Sequence, residues 1–240
     1  GDSVGIGKNA LQENTTGGSN TAVGRCALAL NTTANYNTAV GTSALAVNTT
    51  GEQNTVVGVE ALDANTTGSD NVAMGITALS ANTTGGNNTA IGASALFDNT
   101  TGYANVAVGG GALANNTTGF GNVSIGLNSM SANTAGEDNV SIGCRSMDAN
   151  TSGNCNTFVG KDAGLSNTVG FRNSGFGIKA GENVTTGDQN VFLGFESGAQ
   201  GGMVNITTED NRLVAGHSSI TNSYVKVDWT VTSDLRDKTN

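Results

Sequence analysis

The chain has 240 residues, with 36 glycines, no proline, 12% charged residues and a net charge of −9. The low charge content argues against intrinsic disorder, and no Gly-X-Y period indicates collagen. The negative charge disfavours nucleic acids and anionic membrane surfaces as partners, because both are themselves negatively charged. No apolar run approaches the roughly 20 residues of a membrane-spanning helix. We therefore expect a folded chain with no nucleic-acid partner, no membrane insertion and no cofactor.

One motif recurs every 17 residues, without insertion or deletion over twelve copies. We number each copy from its first residue, position 1. The copies begin at Ser3, Asn20, Asn37, Asn54, Asn71, Asn88, Asn105, Asn122, Asn139, Asn156, Asn173 and Asn190. A fixed period of this size is typical of a solenoid, in which each repeat forms one coil. The two residues before Ser3 fit the end of a further repeat, so we expect the chain to be part of a longer array.

Each repeat predicts two short strands joined by turns. Position 5 is Gly in every copy, which predicts a positive φ or a close approach of chains. Position 4 is always apolar and is predicted to face the core, whereas the Ala at position 3 is predicted to face the opposite side. Position 9 is Leu or Met in nine copies, and position 12 is mostly Asn followed by Thr-Thr-Gly, a turn sequence. Stacked Asn side chains at positions 1 and 12 are expected to form hydrogen-bonded ladders.

These patterns predict an all-β fold, a parallel β-solenoid (β-roll or β-helix) of about twelve coils, spaced by about 4.8 Å. Its core would be thin, because each coil offers only about one Val or Ile, one Leu and two Ala. Strands with two apolar faces need cover on both. We therefore expect self-association along the rod, as a homotrimer.

The pattern changes towards the C-terminus. From Asn156 onwards, position 9 becomes Gly and phenylalanines enter, which predicts a wider or differently packed coil. Residues 213–215 and 224–229 are predicted strands. We expect three segments: a shaft over residues 1–200, a small β-rich cap or neck over 201–232, and a distinct terminal segment over 233–240.

The repeat Asn-Thr-Ala-Val-Gly-x-x-Ala-Leu resembles the head repeats of trimeric autotransporter adhesins, and is also similar to repeats in phage and algal-virus tail fibres. The resemblance covers residues 1–200 and implies a trimer of parallel β-rolls. The 17-residue period departs from the shorter adhesin repeat.

The terminal segment, Ser-Asp-Leu-Arg-Asp-Lys-Thr-Asn from residue 233, resembles the start of the intramolecular chaperone of endosialidase-type tail spikes and fibres. The resemblance implies self-cleavage at the Ser233–Asp234 bond in a full-length precursor, with Ser233 as the nucleophile and Lys238 as its activating partner. The alternative interpretation is a solvated charged tail.

Several residue patterns are predicted to be structural. The Asn-x-Thr sequons, as at Asn14, match the turn chemistry, and Cys26, Cys144 and Cys155 have neither disulfide nor metal-ligand spacing. Only one threonine of each Thr-Thr pair can join one face, which disfavours ice binding. His217, the only histidine, has no convincing catalytic partners in the sequence.

The sequence therefore predicts a structural and adhesive protein rather than an enzyme: a virion tail fibre segment, trimeric, with other virion tail proteins and a host-surface glycan or protein receptor as partners. The alternatives are a bacterial trimeric surface adhesin at the cell surface, an ice-binding protein, and a glycan-degrading spike, for which acidic residues such as Glu52 and Asp70 give no clear active site. Functional contacts are expected at the variable positions 6, 7, 10, 11, 16 and 17, and at the C-terminal end where the repeat breaks.

Overall fold

In a computed structural model of the chain, residues 2–199, 201 and 204–221 are described. They form a parallel β-solenoid, as the 17-residue period predicts. Its thirteen three-residue strands lie in one sheet in chain order, each paired in parallel with the next. The strands are β1 (Val4–Ile6), β2 (Thr21–Val23), β3 (Thr38–Val40), β4 (Thr55–Val57), β5 (Val72–Met74), β6 (Thr89–Ile91), β7 (Val106–Val108), β8 (Val123–Ile125), β9 (Val140–Ile142), β10 (Thr157–Val159), β11 (Ser174–Phe176), β12 (Val191–Leu193) and β13 (Leu213–Ala215).

Hydrogen bonds between neighbouring coils continue far beyond the strands. The N–H of Leu28 donates to the carbonyl oxygen of Ala44, and that of Leu30 donates to Ala46. In the Thr-Thr turn, the N–H groups of Thr49 and Thr50 share the carbonyl oxygen of Thr66. Because most of each coil donates to its neighbour, proline would remove a bond at almost any position, which accounts for its absence.

The prediction that position 4 faces the core is wrong. The buried strand residue is position 3, as in Ala39 and Val56, which are 0% exposed. Position 4 lies on the outer face, where Ile91 and Ile125 are each 38% exposed. Alternate strand residues face opposite sides, so the whole outer face carries positions 2, 4 and 6.

The core contains position 3 together with positions 8 and 9, and its side chains change in a coordinated way along the rod. Ala and Leu fill coils 2–7, apart from Val56 at position 3 of coil 4, whereas Ser and Met fill coils 8 and 9. In coils 10–12, a Cβ added at Gly164 would lie 2.7 Å from the Phe158 ring, and one added at Gly181 would lie 2.7 Å from the Phe192 ring. Phe at position 3 therefore fills the volume that Leu leaves at position 9, and the strand register continues unchanged.

Left-handed backbone recurs at three positions of each coil that are seldom glycine. Positions 7, 9 and 17 have φ near +55°, as in Ser43 (56°), Leu45 (52°) and Gln53 (60°). This conformation costs an L-residue roughly 1–2 kcal/mol. At position 9 the cost is offset by burying the Leu side chain, a gain of about 2 kcal/mol. The Asn at position 12 and the Gly at position 15 were expected to be the left-handed residues of the turn, but neither has a positive φ there.

The predicted Asn ladders at positions 1 and 12 are confirmed, and the two ladders meet at the carbonyl oxygen of the position-15 residue. Asn37 and Asn48 both donate from Nδ2 to the carbonyl oxygen of Gly51, each at 2.9 Å. Asn48 also donates to Oδ1 of Asn31 in the preceding coil, at 3.2 Å. The two side chains therefore tie the turn to the strand start within one coil and to the adjacent coil.

The last described strand continues the solenoid after a longer coil. Leu213 pairs with Val191, 22 residues earlier rather than 17. The predicted strand at 213–215 is thus confirmed, and it stacks on the preceding coil. The predicted strand at 224–229 lies outside the described residues.

Candidate interaction surfaces

The outer face of the sheet carries an apolar column that runs the length of the rod. Position 4 contributes Val, Ile, Met, Leu or Phe in every coil. Position 6 is mixed: it adds apolar side chains such as Ile76 and Leu127, but also the exposed cations Lys8, Arg25 and Lys161. The most exposed members are Ile76 (61%), Ile6 (60%), Leu127 (57%), Phe195 (52%), Ile178 (50%) and Phe176 (45%). Thirteen strands spaced by about 4.8 Å extend roughly 58 Å, and positions 2 to 6 span about 13 Å, so the face covers roughly 750 Å². The position-4 column is the continuous apolar part of this face, and contiguous exposed apolar surface marks interaction sites.

The threonine turns form one exposed hydroxyl column rather than a flat lattice. At position 13 the hydroxyl is used internally: Thr49 Oγ1 donates to the carbonyl oxygen of Thr66 at 2.9 Å. At position 14 the side chains of Thr50 and Thr67 are exposed. The prediction that one threonine of each pair faces outwards is therefore confirmed, and a single column gives little area for an ice lattice.

The sequons that recur at position 12 lie at ladder asparagines. Asn31 and Asn48 are fully buried, and their Nδ2 groups donate to the neighbouring ladder residue. A glycan would need that nitrogen and open space around it, so these recurring sequons are structural in the folded rod. Three further Asn-x-Thr sequences begin at exposed asparagines, Asn87, Asn115 and Asn205.

The position-16 column at the edge of the turn carries a pair of stacked aromatic rings. Tyr103 and Phe120 lie one coil apart, with ring centroids separated by 4.7 Å and ring planes inclined by 6°. Tyr103 remains 48% exposed. Further along the same column, Phe171 is contacted by the guanidinium of Arg172, 5.4 Å from its ring centroid. These residues lie at two of the variable positions that the sequence singled out.

A shallow groove lies beside the position-10 column, lined by Ser131, Ala132, Arg145, Asp148, Ala149, Leu165 and Ser166. Its cation is already paired: Arg145 Nη2 lies 2.7 Å from Oδ1 of Asp162, whose side chain is 5% exposed. The hydrogen bond and the charge of Asp162 raise the pKa of Arg145 above its ordinary value. Because Arg145 is ion-paired with Asp162, the groove offers no free cation for an anionic ligand.

His217 has partners that the sequence did not reveal. Its Nε2 lies 3.2 Å from Oε2 of Glu196, and its Nδ1 lies 3.0 Å from Oγ of Ser219. The N–H of Ser219 also donates to Nδ1, at 3.2 Å. The order carboxylate, imidazole, hydroxyl matches a nucleophile–base pair, but Ser219 is exposed and its contact with His217, two residues away, is that of a local turn.

The remaining sequence predictions concern Ser233, Lys238 and the cysteines. Ser233 and Lys238 lie outside the described residues, so the implied self-cleavage site stays a prediction. Cys26, Cys144 and Cys155 are free thiols. Among residues 2–199, 201 and 204–221, no group of His, Cys, Asp or Glu side chains has the arrangement of a metal site.

Within the described part of the chain, no helix is long and apolar enough to cross a membrane. The chain matches no protein-family model, and no curated protein or solved structure shows significant similarity to it.

Proposed function

We propose that this chain is a segment of a homotrimeric virion tail fibre, in which the solenoid is a rigid shaft that forms or presents a contact with the host surface. The observation that carries the proposal is the apolar position-4 column on the outer face of the sheet. It repeats in every coil, so a second copy aligned in parallel meets the same column along the whole rod.

The area of this face supports self-association. Roughly 750 Å² per chain is close to the 800 Å² per partner of a standard protein interface. Side chains such as Ile76 and Leu127 would otherwise stay in water, which costs about 25 cal/mol for each Å² of apolar surface. The number three comes from the resemblance to trimeric adhesins and tail fibres, whereas the need for cover comes from the surface itself.

The backbone of the rod supports a mechanical role. Neighbouring coils are joined by strand pairing, by two Asn ladders and by the threonine hydroxyl ladder, so bending at any one coil breaks several hydrogen bonds together. A shaft with this many bonds between coils transmits force along its axis. The same features would suit a bacterial trimeric surface adhesin, which is the second candidate, and a C-terminal membrane anchor in the full gene would favour it.

The test is the native molar mass by light scattering coupled to size exclusion. We expect three times the chain mass of 23.9 kDa. Replacing Ile91 with Glu places a charge in the outer face and should lower the mass towards that of a single chain. The matched control is Asn115→Glu, an exposed residue at position 11 of the adjacent coil, which should leave the mass unchanged. A wild-type mass equal to one chain would refute the proposal.

A further inference from the structure

The Tyr103–Phe120 pair leaves one aromatic face uncovered. Phe120 belongs to the following coil and covers the C-terminal side of the Tyr103 ring at 4.7 Å, close to the coil spacing. The position-16 residue of the preceding coil is Gly86, which has no side chain. The next side chain on that side of the column is Ser69.

The missing side chain at Gly86 creates a notch one ring thick. Tyr103 and Ser69 are two coils apart, a separation of roughly 9.6 Å. Ring centroids in stacked pairs lie about 4.5–5 Å apart, so one flat ring fits between them. By contrast, the ring of Phe171 already has the guanidinium of Arg172 against it.

The notch also exposes backbone donors. In several coils the N–H at position 16 donates to the position-16 side chain of the next coil, as in Gly18 to Asn35 Oδ1 at 2.8 Å and Glu52 to Ser69 Oγ at 3.0 Å. In others, such as Asn35 and Phe120, it makes no hydrogen bond within the described residues. In the coil after Ser69, position 16 is Gly86, which has no side chain to accept a hydrogen bond. In the coils after Gly86 and Tyr103, position 16 is aromatic. The N–H groups of these three residues donate no hydrogen bond within the described part of the chain.

The charges around the notch select against anions. Glu52 and Asp70 lie on its N-terminal side, and Glu137 and Asp138 lie beyond Phe120 on the other. With a net charge of −9 for the chain, a sulfated, phosphorylated or carboxylated ligand would be repelled. The ligand that fits has one flat apolar face for stacking, oxygen acceptors at its rim and no charge.

From this combination we infer that the notch formed by Ser69, Gly86, Tyr103 and Phe120 binds a pyranose ring of a neutral glycan. The apolar face of the sugar stacks on Tyr103, and its ring or hydroxyl oxygens accept from the N–H groups of Ser69 and Gly86. The exposed hydroxyls of Thr84 and Thr101, at position 14 of the same two coils, border the site. The inference deepens the proposed attachment function, on which its biological role rests.

The experiment is isothermal titration of the assembled wild-type protein with four neutral hexasaccharides: cellohexaose, maltohexaose, chitohexaose and mannohexaose. We expect at least one to bind. Tyr103→Ala should weaken that binding at least about 10-fold by removing the stacking face. Gly86→Phe should do the same while keeping the aromatic column, because the new ring fills the notch. The control, Tyr36→Ala, removes another exposed tyrosine, at position 17, and should not change the affinity.

Circular dichroism melting of each variant separates a lost site from lost folding. This matters most for Gly86→Phe, whose new Cβ would lie 3.0 Å from the carbonyl oxygen of Ser69. Failure of all four sugars to bind at about 10 mM, or binding that survives both Tyr103→Ala and Gly86→Phe, would overturn the inference. Tighter binding of a sulfated hexasaccharide would overturn the neutral assignment. The light-scattering mass tests the proposed function separately. A monomeric protein that binds sugar through the notch would refute only the trimer, whereas a trimer that binds no sugar would refute only the glycan site.

Discussion

Removing one ladder asparagine should open the solenoid locally, and Asn82→Ala is the sharpest case. Asn82 Nδ2 donates to Asn65 Oδ1 at 2.9 Å and to the carbonyl oxygen of Gly85 at 3.0 Å. Its Oδ1 accepts from Asn99 Nδ2 at 2.8 Å. The bonds to Gly85 and from Asn99 are worth about 1 kcal/mol each, about 2 kcal/mol together. Loss of the third bond leaves the buried Oδ1 of Asn65 without a donor, which costs roughly 1–3 kcal/mol.

Two of the partners stay satisfied, which sets an upper bound on the effect. The carbonyl oxygen of Gly85 keeps its bond from Asn71 Nδ2 at 3.0 Å, and Asn99 Nδ2 keeps its bond to Gly102. We therefore expect a total loss of about 3–5 kcal/mol, because only one of the three partner groups is left unpaired.

The assay is hydrogen exchange, because a long repeat array need not unfold in one step. The N–H of Leu79 donates to Ala95 and that of Leu96 donates to Ala112. A loss of about 3 kcal/mol should speed the exchange of both amides roughly 100-fold. The control is Thr84→Ala, two residues further along, whose exposed hydroxyl makes no hydrogen bond within the described residues. A change below about 5-fold, or one equal to that of the control, would refute the view that the Asn ladders hold the coils together.

Three further changes test the packing and the last coil. Gly92→Ala should lower the free energy of urea unfolding by at least about 3 kcal/mol, because φ at Gly92 is 136° and the new Cβ would lie 2.6 Å from the carbonyl group of Gly109. The control is Gly110→Ala, whose new Cβ would lie 3.5 Å from its nearest contact and should cost below about 1 kcal/mol. The single variants Phe158→Ala and Gly164→Leu should each lower the free energy of unfolding by about 3 kcal/mol or more. The double variant should recover at least about 2 kcal/mol of the summed losses, because it restores the Ala–Leu packing of earlier coils. Additive losses in the double variant would contradict this compensation. The carboxylate of Glu209 accepts hydrogen bonds from the N–H groups of Thr207 and Thr208, which lowers its pKa. The stability that these bonds supply is present above the ordinary pKa of 4.5 and is lost as the pH falls through the lowered value. The NMR amide shifts of Thr207 and Thr208 should therefore move in that pH range in wild type but not in Glu209→Gln.

The period, the invariant Gly and the Asn columns were predictable because each recurs in the sequence at a fixed spacing. Which face of each strand is buried was not predictable. Three-residue strands such as Thr38–Val40 have apolar residues on both faces, so alternation alone cannot show which face is inside. A signal was present in the substitutions: Phe enters position 3 only in coils in which position 9 is Gly, as with Phe158 and Gly164, whereas position 4 varies independently of position 9, as surface residues do.

Two other features lay beyond the sequence for different reasons. Leu45 has a left-handed backbone, and Leu is a residue for which propensity predicts the opposite. The final coil was hidden by its extra five residues, although Thr207 and Leu213 repeat Thr185 and Val191 at a spacing of 22. The turn edge was predicted as a place for function, but the notch beside Tyr103 needed the structure, because it depends on which side chain lies one coil away.

The central claim is that one 17-residue period forms one coil of a rod whose copies associate along its length. The most direct test is deletion of residues 71–121, which are three whole periods, followed by small-angle X-ray scattering and light scattering. The account predicts a folded rod of the same subunit number, shorter by roughly 14 Å. Deletion of residues 71–112, which leaves the period out of phase, should instead give an unfolded or aggregated product. Equal behaviour of the two deletions, or an unchanged length after the first, would contradict the account.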